Sequence, residues 1–148
     1  MSLDAVPEQE AILAHAAILC NGRIYDSLPD ETKLEFDAAT GLVRPYIIIS
    51  FGSLYPLPND RTIEGAEQQP NIMPVIAECW GPTSNMARAT AGAYRTRFVG
   101  FHPSENNASE LELRGGGWFE QKDASGRPVR YCETVTGQTI LNMSIDAA

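Results

Sequence analysis

The spacing of apolar and polar positions changes period several times along the chain, and each change marks an element. Pro7, with Glu8 and Glu10 behind it, reads as a first helical turn: proline suits the first position and acids suit the positive end of the helix dipole. Ile12, Leu13, Ala16 and Leu19 continue one helical face, and Asn21-Gly22 stops it. "RIYDSLPDE" predicts a short extended piece ended by Pro29, and residues 30–44 read as a polar, acidic loop anchored by Leu34 and Phe36. Tyr46–Phe51, β-branched and aromatic with Pro45 at its edge, predicts a strand covered on both faces at its centre. Ile72–Trp80 predicts a neighbouring strand, with Ile72, Val75, Ala77 and Cys79 on one face and Met73, Ile76, Glu78 and Trp80 on the other. Pro74 places an edge or a bulge at its start.

The clearest helix is "GPTSNMARATAGAYRTRFVG", with Thr83 or Ser84 as its cap and Gly100 closing it. Its apolar face is Ala87, Ala91, Tyr94 and Phe98. After a loop at His102–Ala108, "LELR" and "GGWFEQ" read as short strands around Gly115–Gly117, where glycine permits a bulge or the close approach of another backbone. Lys122–Pro128 reads as a hairpin turn, and "VRYCETVTGQTILNMSI" as a long final strand region broken at Gly137. This order predicts an α+β fold, a mostly antiparallel sheet with two helices packed on it, in a single domain spanning 1–148 with residues 1–5 and 146–148 as flexible ends.

One segment does not fit a compact element. Residues 52–70 are dense in Pro, Gly, Asn and acids, and unstructured loops beyond about 12–15 residues are usually functional or disordered. Pro56, Pro58 and Pro70 stiffen the segment, while Leu54, Tyr55, Leu57 and Ile63 give it apolar points that a free solvent loop does not need. We expect an extended loop or long β-hairpin arm for reaching a neighbour. The competing reading is a lid, with Asp60, Arg61 and Glu64 as its polar contacts.

Composition narrows the function. The chain has 148 residues, 43% hydrophobic and 20% charged, as expected for one globular domain. Its apolar runs are far shorter than the roughly 20 residues of a membrane span, so no membrane partner is expected. The acidic N-terminus lacks the basic region of a signal peptide, which predicts an intracellular, reducing compartment. Cys20, Cys79 and Cys132, widely spaced and without CxxC, read as buried free thiols. The net charge of −8 argues against wrapping nucleic acid, which needs a basic face. Charge is also uneven: residues 1–40 are strongly acidic and residues 85–130 carry more bases than acids, which lets copies stack head to tail.

Catalytic chemistry is not indicated. His15 sits between alanines on the first helix and reads as a packing or surface residue, and His102 in its loop has no partner nucleophile singled out. There is no GxSxG, no HExxH and no Cys/His cluster at metal spacing, and "RGGGWF" lacks the Lys-Ser/Thr end of a phosphate loop. We therefore expect a non-enzyme with no cofactor and no metal.

The order "NGRIYDSLPDE", "RPYIIIS", "VIAECWGPTSNMARATAGAYRTRF", a glycine-bearing hairpin and a long last strand resembles the tail-terminator proteins of long-tailed bacteriophages, over about Ile12 to Ile145. Arg23, Tyr25, Asp26 and Pro29 match the first motif; Pro45, Tyr46 and Ile47–Ile49 the second; Trp80, Ala87, Ala91 and Tyr94 the third; Asp123, Gly126, Arg127 and Arg130 the hairpin. The 30–44 loop is longer than that pattern, and residues 52–70 are unusually rich in proline. The resemblance implies a virion structural protein, made in the host cytoplasm, that forms a homo-hexameric ring at the head–tail junction. The ring would cap the tail tube protein, offer a docking face to head-completion or connector proteins, and let DNA pass through its lumen without specific binding. Interface residues expected on this basis are Leu54, Tyr55, Leu57, Asp60, Arg61, Ile63, Glu64, Lys122, Asp123 and Arg127. The alternatives are another neck component, or a small cytosolic ligand-binding or enzymatic α+β domain.

Overall fold

A computed structural model describes residues 5–27, 29, 33–56, 68–105, 107–126 and 128–144. Among these the chain forms α1 (Val6–Ala16), a short 3-10 turn (Leu19–Gly22), β1 (Ile24–Asp26), β2 (Tyr46–Phe51), β3 (Tyr55–Pro56), β4 (Gln68–Gly81), α2 (Ser84–Arg97), β5 (Glu112–Lys122) and β6 (Pro128–Ser144). The six strands make one sheet in the order β1-β2-β4-β6-β5, with β3 also on β4. β1 pairs parallel to β2 and every other pair is antiparallel. The α+β expectation therefore holds. Of the expected long hairpin, only the Tyr55–Pro56 pairing with Ile72 and Asn71 is described, and residues 57–67 lie outside the described residues. Both expected flexible ends also lie outside them, apart from Ala5, which is buried.

Both helices pack on one face of the sheet. Ala87, Ala91, Tyr94 and Phe98 from α2 and Ile12 and Ala16 from α1 meet Ile47, Ile49, Met73, Val75, Ala77, Cys79 and Val135, all without exposed surface. Burying a side chain such as Phe98 contributes about 1.5–3 kcal/mol. α2 begins at Thr83, whose hydroxyl accepts the Met86 N–H at 3.2 Å. The first turn of α2 lies so close to the end of β4 that a Cβ on Gly81 would stand 2.8 Å from the Ala87 nitrogen. His15 joins the helices: its Nε2 lies 2.8 Å from the Arg97 carbonyl, the Arg97 Nε–H donates to the His15 carbonyl, and its ring stacks on Phe101.

The other face is covered in part by residues 33–45. Leu34 and Val43 from this loop cover Tyr46, Ile48, Trp80 and Cys132, so β2 is buried on both faces as expected. Phe36, expected as a second anchor, is instead exposed, because it pairs with Val43 in a small turn closed around Asp37.

Three local expectations need correction. Pro74 creates neither an edge nor a bulge: β4 is central and its register with β6 runs unbroken from Gln68 to Gly81. Its carbonyl accepts the Gly52 N–H at 3.0 Å, so its missing N–H faces the gap between β2 and β3, where the ladder needs no donor. With no bulge there, Met73 joins Val75, Ala77 and Cys79 on the helix face, and Ile72 lies on the opposite one. Gly137 does not break β6; it pairs with Val75 on one side and Leu113 on the other, and a Cβ there would come 2.9 Å from the Glu112 carbonyl oxygen. "LELR" and "GGWFEQ" are one strand, β5, with the expected bulge between Gly115 and Trp118.

Candidate interface surfaces

The described interface candidates fall at opposite ends of the sheet. Tyr55 is exposed on β3 and paired with Ile72, while Leu54 beside it packs against the helix-side core rather than projecting as an arm. Lys122 pairs with Pro128 next to the β5–β6 turn, where Asp123 holds the turn through its Oδ1 to the Ser125 N–H and hydroxyl. The strand rise puts Ile72 and Gly81 about 30 Å apart, so these are two surfaces. Leu57, Asp60, Arg61, Ile63, Glu64 and Arg127 lie outside the described residues.

At the end where β4 finishes, three shallow grooves adjoin. The first, about 390 Å³, runs along α2 and is lined by Met86, Ala89, Thr90 and Ala93 from the helix and by Ile18 from the segment after α1. It continues past Arg23 and Pro45 to Leu42 and Arg44, and then past Val43 and Pro82 to Phe36 and Asp123. Ile18, Phe36, Leu42 and Met86 are 68%, 45%, 44% and 42% exposed, a run of apolar side chains facing solvent. Arg23 is fixed there by its Nε–H to the Pro45 carbonyl (2.7 Å) and a 3.2 Å ion pair with Glu35, whereas Arg44 points outward. Sequence reasoning missed this surface. The available signal was Met86, an apolar residue off the apolar face of its helix.

At the opposite end, the chain leaves α2 through Val99 and Gly100, and Val99 is 79% exposed. Glu110 supports that corner, its Oε1 accepting the Gly100 N–H at 3.0 Å, and Glu112 and Arg114 stand beside it. Charge at the first end is mixed: Arg23, Arg44, Arg88, Lys122 and the buried Arg130 stand there with Glu35, Asp37, Glu78, Glu120, Asp123 and Glu133, and Arg23 is paired with Glu35 and Arg95 with Glu133. Glu105, Glu110 and Glu112 lie at the second with Arg97 and Arg114, and α1, which carries Glu8 and Glu10, packs there through Gln9 on Met73.

β5 is the sheet edge, and nearly all of it is exposed. Its bulge and the charges Glu112, Arg114, Glu120 and Lys122 are features that discourage a further strand from adding. Trp118 is held under the Arg88 guanidinium at 4.9 Å, and Phe119 meets Trp80 edge-on.

The remaining reactive groups sit in structural roles. Cys79 and Cys132 are buried on opposite faces of the sheet and Cys20 is half-buried, all as free thiols. Burial raises the Cys79 pKa well above the ordinary thiol value, with the Cys132 thiol adding to the effect, and pushes Cys132 up to about 12. His102 Nδ1 lies 3.2 Å from the Ala108 carbonyl inside its own loop. Among the described residues no three His, Cys, Asp or Glu side chains group so as to hold a metal ion, and no helix is long and apolar enough to cross a membrane. No protein-family model matches the chain, and no curated protein matches its sequence.

Proposed function

We propose that this chain is a virion structural protein of a long-tailed bacteriophage, a tail terminator that closes into a six-membered ring on the head-proximal end of the tail tube. The ring ends tube growth and presents the face on which head-completion proteins dock. The observation that carries the reading is the order of the short motifs. Arg23, Tyr25 and Asp26 fall on or beside β1, Pro45 to Ile49 run into β2, Trp80 ends in the β4–α2 junction, and Asp123 and Gly126 form the turn before the last strand. The motifs thus fall in turn on β1, on β2, on the end of β4 with α2, and on the β5–β6 turn, which supports the reading.

The surfaces support the same reading. A protein whose work is assembly needs distinct patches, and the exposed apolar side chains Ile18, Phe36, Leu42 and Met86 at one end and Val99 at the other are two such patches on one chain. The net charge of −8 suits a lumen through which DNA must slide, since a negative wall repels phosphate. The test is the mass and shape of the purified chain, by light scattering after size exclusion and by negative stain, alone and with tail tubes. Closed rings of one size, free or seated on tube ends, are expected. A chain that stays monomeric, never joins tubes and binds a metabolite overturns the proposal.

A further inference from the structure

Resting on the ring reading, we infer that copies of this chain exchange their first helix: α1 leaves its own sheet and packs in the α1 seat of the next copy. The joint after α1 is the first reason. Cys20 (φ 51°), Asn21 (φ 52°) and Gly22 (φ 86°) are three consecutive left-handed residues, closed by the Arg23 N–H on the Cys20 carbonyl at 3.0 Å. Glycine adopts that conformation freely and asparagine at small cost, but cysteine does not. Straightened into extended backbone, all three leave the left-handed region. Short joints under strain invite exchange between copies. The second reason is that α1 is lightly held. Of its eleven residues only Ile12 and Ala16 are buried, and Ala5 at its start has no side chain with which to cap it. One buried oxygen of the Glu8 carboxylate finds no partner among the described residues. Beyond that burial, α1 is tied by Gln9 to the Met73 sulfur at 3.9 Å and by the paired bonds between His15 and Arg97.

The occupant of the vacated seat follows from what fills it now. If α1 leaves, Met73, Phe98 and Phe101 lose the Gln9 and His15 side chains that lie on them. The α1 of another copy restores each contact, so the closed and exchanged forms differ chiefly in the joint. A released eleven-residue helix is marginal alone, so it needs a seat. Extended, residues 18–23 reach at most about 20 Å, which sets the receiving copy beside β1, the sheet edge opposite β5. Each copy gives one helix and takes one, so the contact runs in one direction and closes a ring where the rotation permits.

The experiment cross-links two variants of the full chain, one with His15→Cys and the other with Arg97→Cys. Both carry Cys20→Ser, because Cys79 and Cys132 are buried and Cys20 is not. Neither new thiol lies in the buried core, and an unchanged circular dichroism melt confirms that each variant folds. Mixed, assembled and treated with a short bismaleimide, the pair should give a covalent dimer, because α1 of one chain lies on α2 of the other. A single chain carrying both new cysteines, linked within itself as a dilute monomer, should no longer assemble. The joint gives a second readout. Cys20→Gly relaxes the closed turn and should weaken self-association roughly fivefold. Asn21→Pro fixes φ at about −65°, cannot make the closed turn, and should leave no monomer. A soluble Asn21→Pro monomer with the wild-type melt would overturn the inference. If the wild type assembles and the mixed pair gives no covalent dimer, while the doubly substituted chain links within itself, the inference fails and the ring reading stands. If the mixed pair links but only as closed pairs that never form rings, the exchange stands and the ring reading fails. A wild type that is monomeric throughout, with tail tubes or without, overturns both.

Discussion

Raising the pH should unfold this protein along a limb set by two side chains buried between α2 and the sheet. Cys79 and Tyr94 have no exposed surface, and burial raises both well above their ordinary values. In the unfolded chain a thiol titrates near 8.5 and a phenol near 10. The folded values lie above these, so the native chain keeps protons that the unfolded chain has already released. Stability is then complete below the unfolded values and falls as the pH rises past them. Each group costs about 1.4 kcal/mol per pH unit. By about pH 11 the two groups together have cost on the order of 5 kcal/mol, the larger share from Cys79, whose unfolded value is passed first. A typical domain has only about 5–15 kcal/mol in total. Cys132 adds to the loss in the same direction.

The assay is a series of urea midpoints from about pH 8 to about pH 11 for the wild type and the Cys79→Ala/Tyr94→Phe double variant. At the low end Cys79→Ala should lose about 1 kcal/mol for its missing sulfur. Tyr94→Phe should lose nothing and gain up to about 1, because the Tyr94 hydroxyl is buried and finds no partner among the described residues. At the high end the double variant should be the more stable protein. Parallel curves for the two proteins across the whole range would refute the reasoning.

Three further outcomes are expected. Gly116→Ala would drive a methyl into the Thr134 carbonyl and should cost about 1–3 kcal/mol, whereas Gly115→Ala and Gly117→Ala meet nothing within 4 Å and should change stability by less than about 0.5. Thermal melts of the three separate these cases at about 2–4 °C per kcal/mol, and equal losses would mean that Thr134 does not set the bulge. Thr83→Ala should cost about 1 kcal/mol by removing the α2 cap, while Ser84→Ala should not; the reverse order would move the cap. Replacing residues 57–67 by a Gly/Ser linker should leave the melt nearly unchanged, since each doubling of a loop counts only about 0.6 kcal/mol, yet should abolish assembly on tubes; continued assembly would show that the segment is not an arm.

Much of the architecture was legible because local pattern and tertiary environment agree. Ala87, Ala91, Tyr94 and Phe98 read as one helical face and form one, and Tyr46–Phe51 read as a doubly covered strand because its β-branched run has no polar alternation. The misreadings at Pro74 and Gly137 share a physical cause. These residues lie at neighbouring rungs of the β4–β6 ladder, where long pairing on both sides overrides a local breaker. Proline is tolerated because its missing donor faces a gap, and glycine is required because β5 comes close. Phe36 was misplaced because an apolar residue in a loop carries no phase to say which way it turns. The groove on α2 was illegible for a related reason. Its parts come from Ile18, Arg23, Pro45 and Met86, which only the fold brings together.

The central claim is that this chain ends tail-tube growth by seating on the tube. The most direct measurement follows tube length by electron microscopy while tube protein polymerises with and without the purified chain. The account predicts tubes that stop elongating once the chain is added, each with a ring at one end. Tubes that grow to the same lengths and carry no ring, at a concentration of chain equal to that of tube subunits, would contradict it.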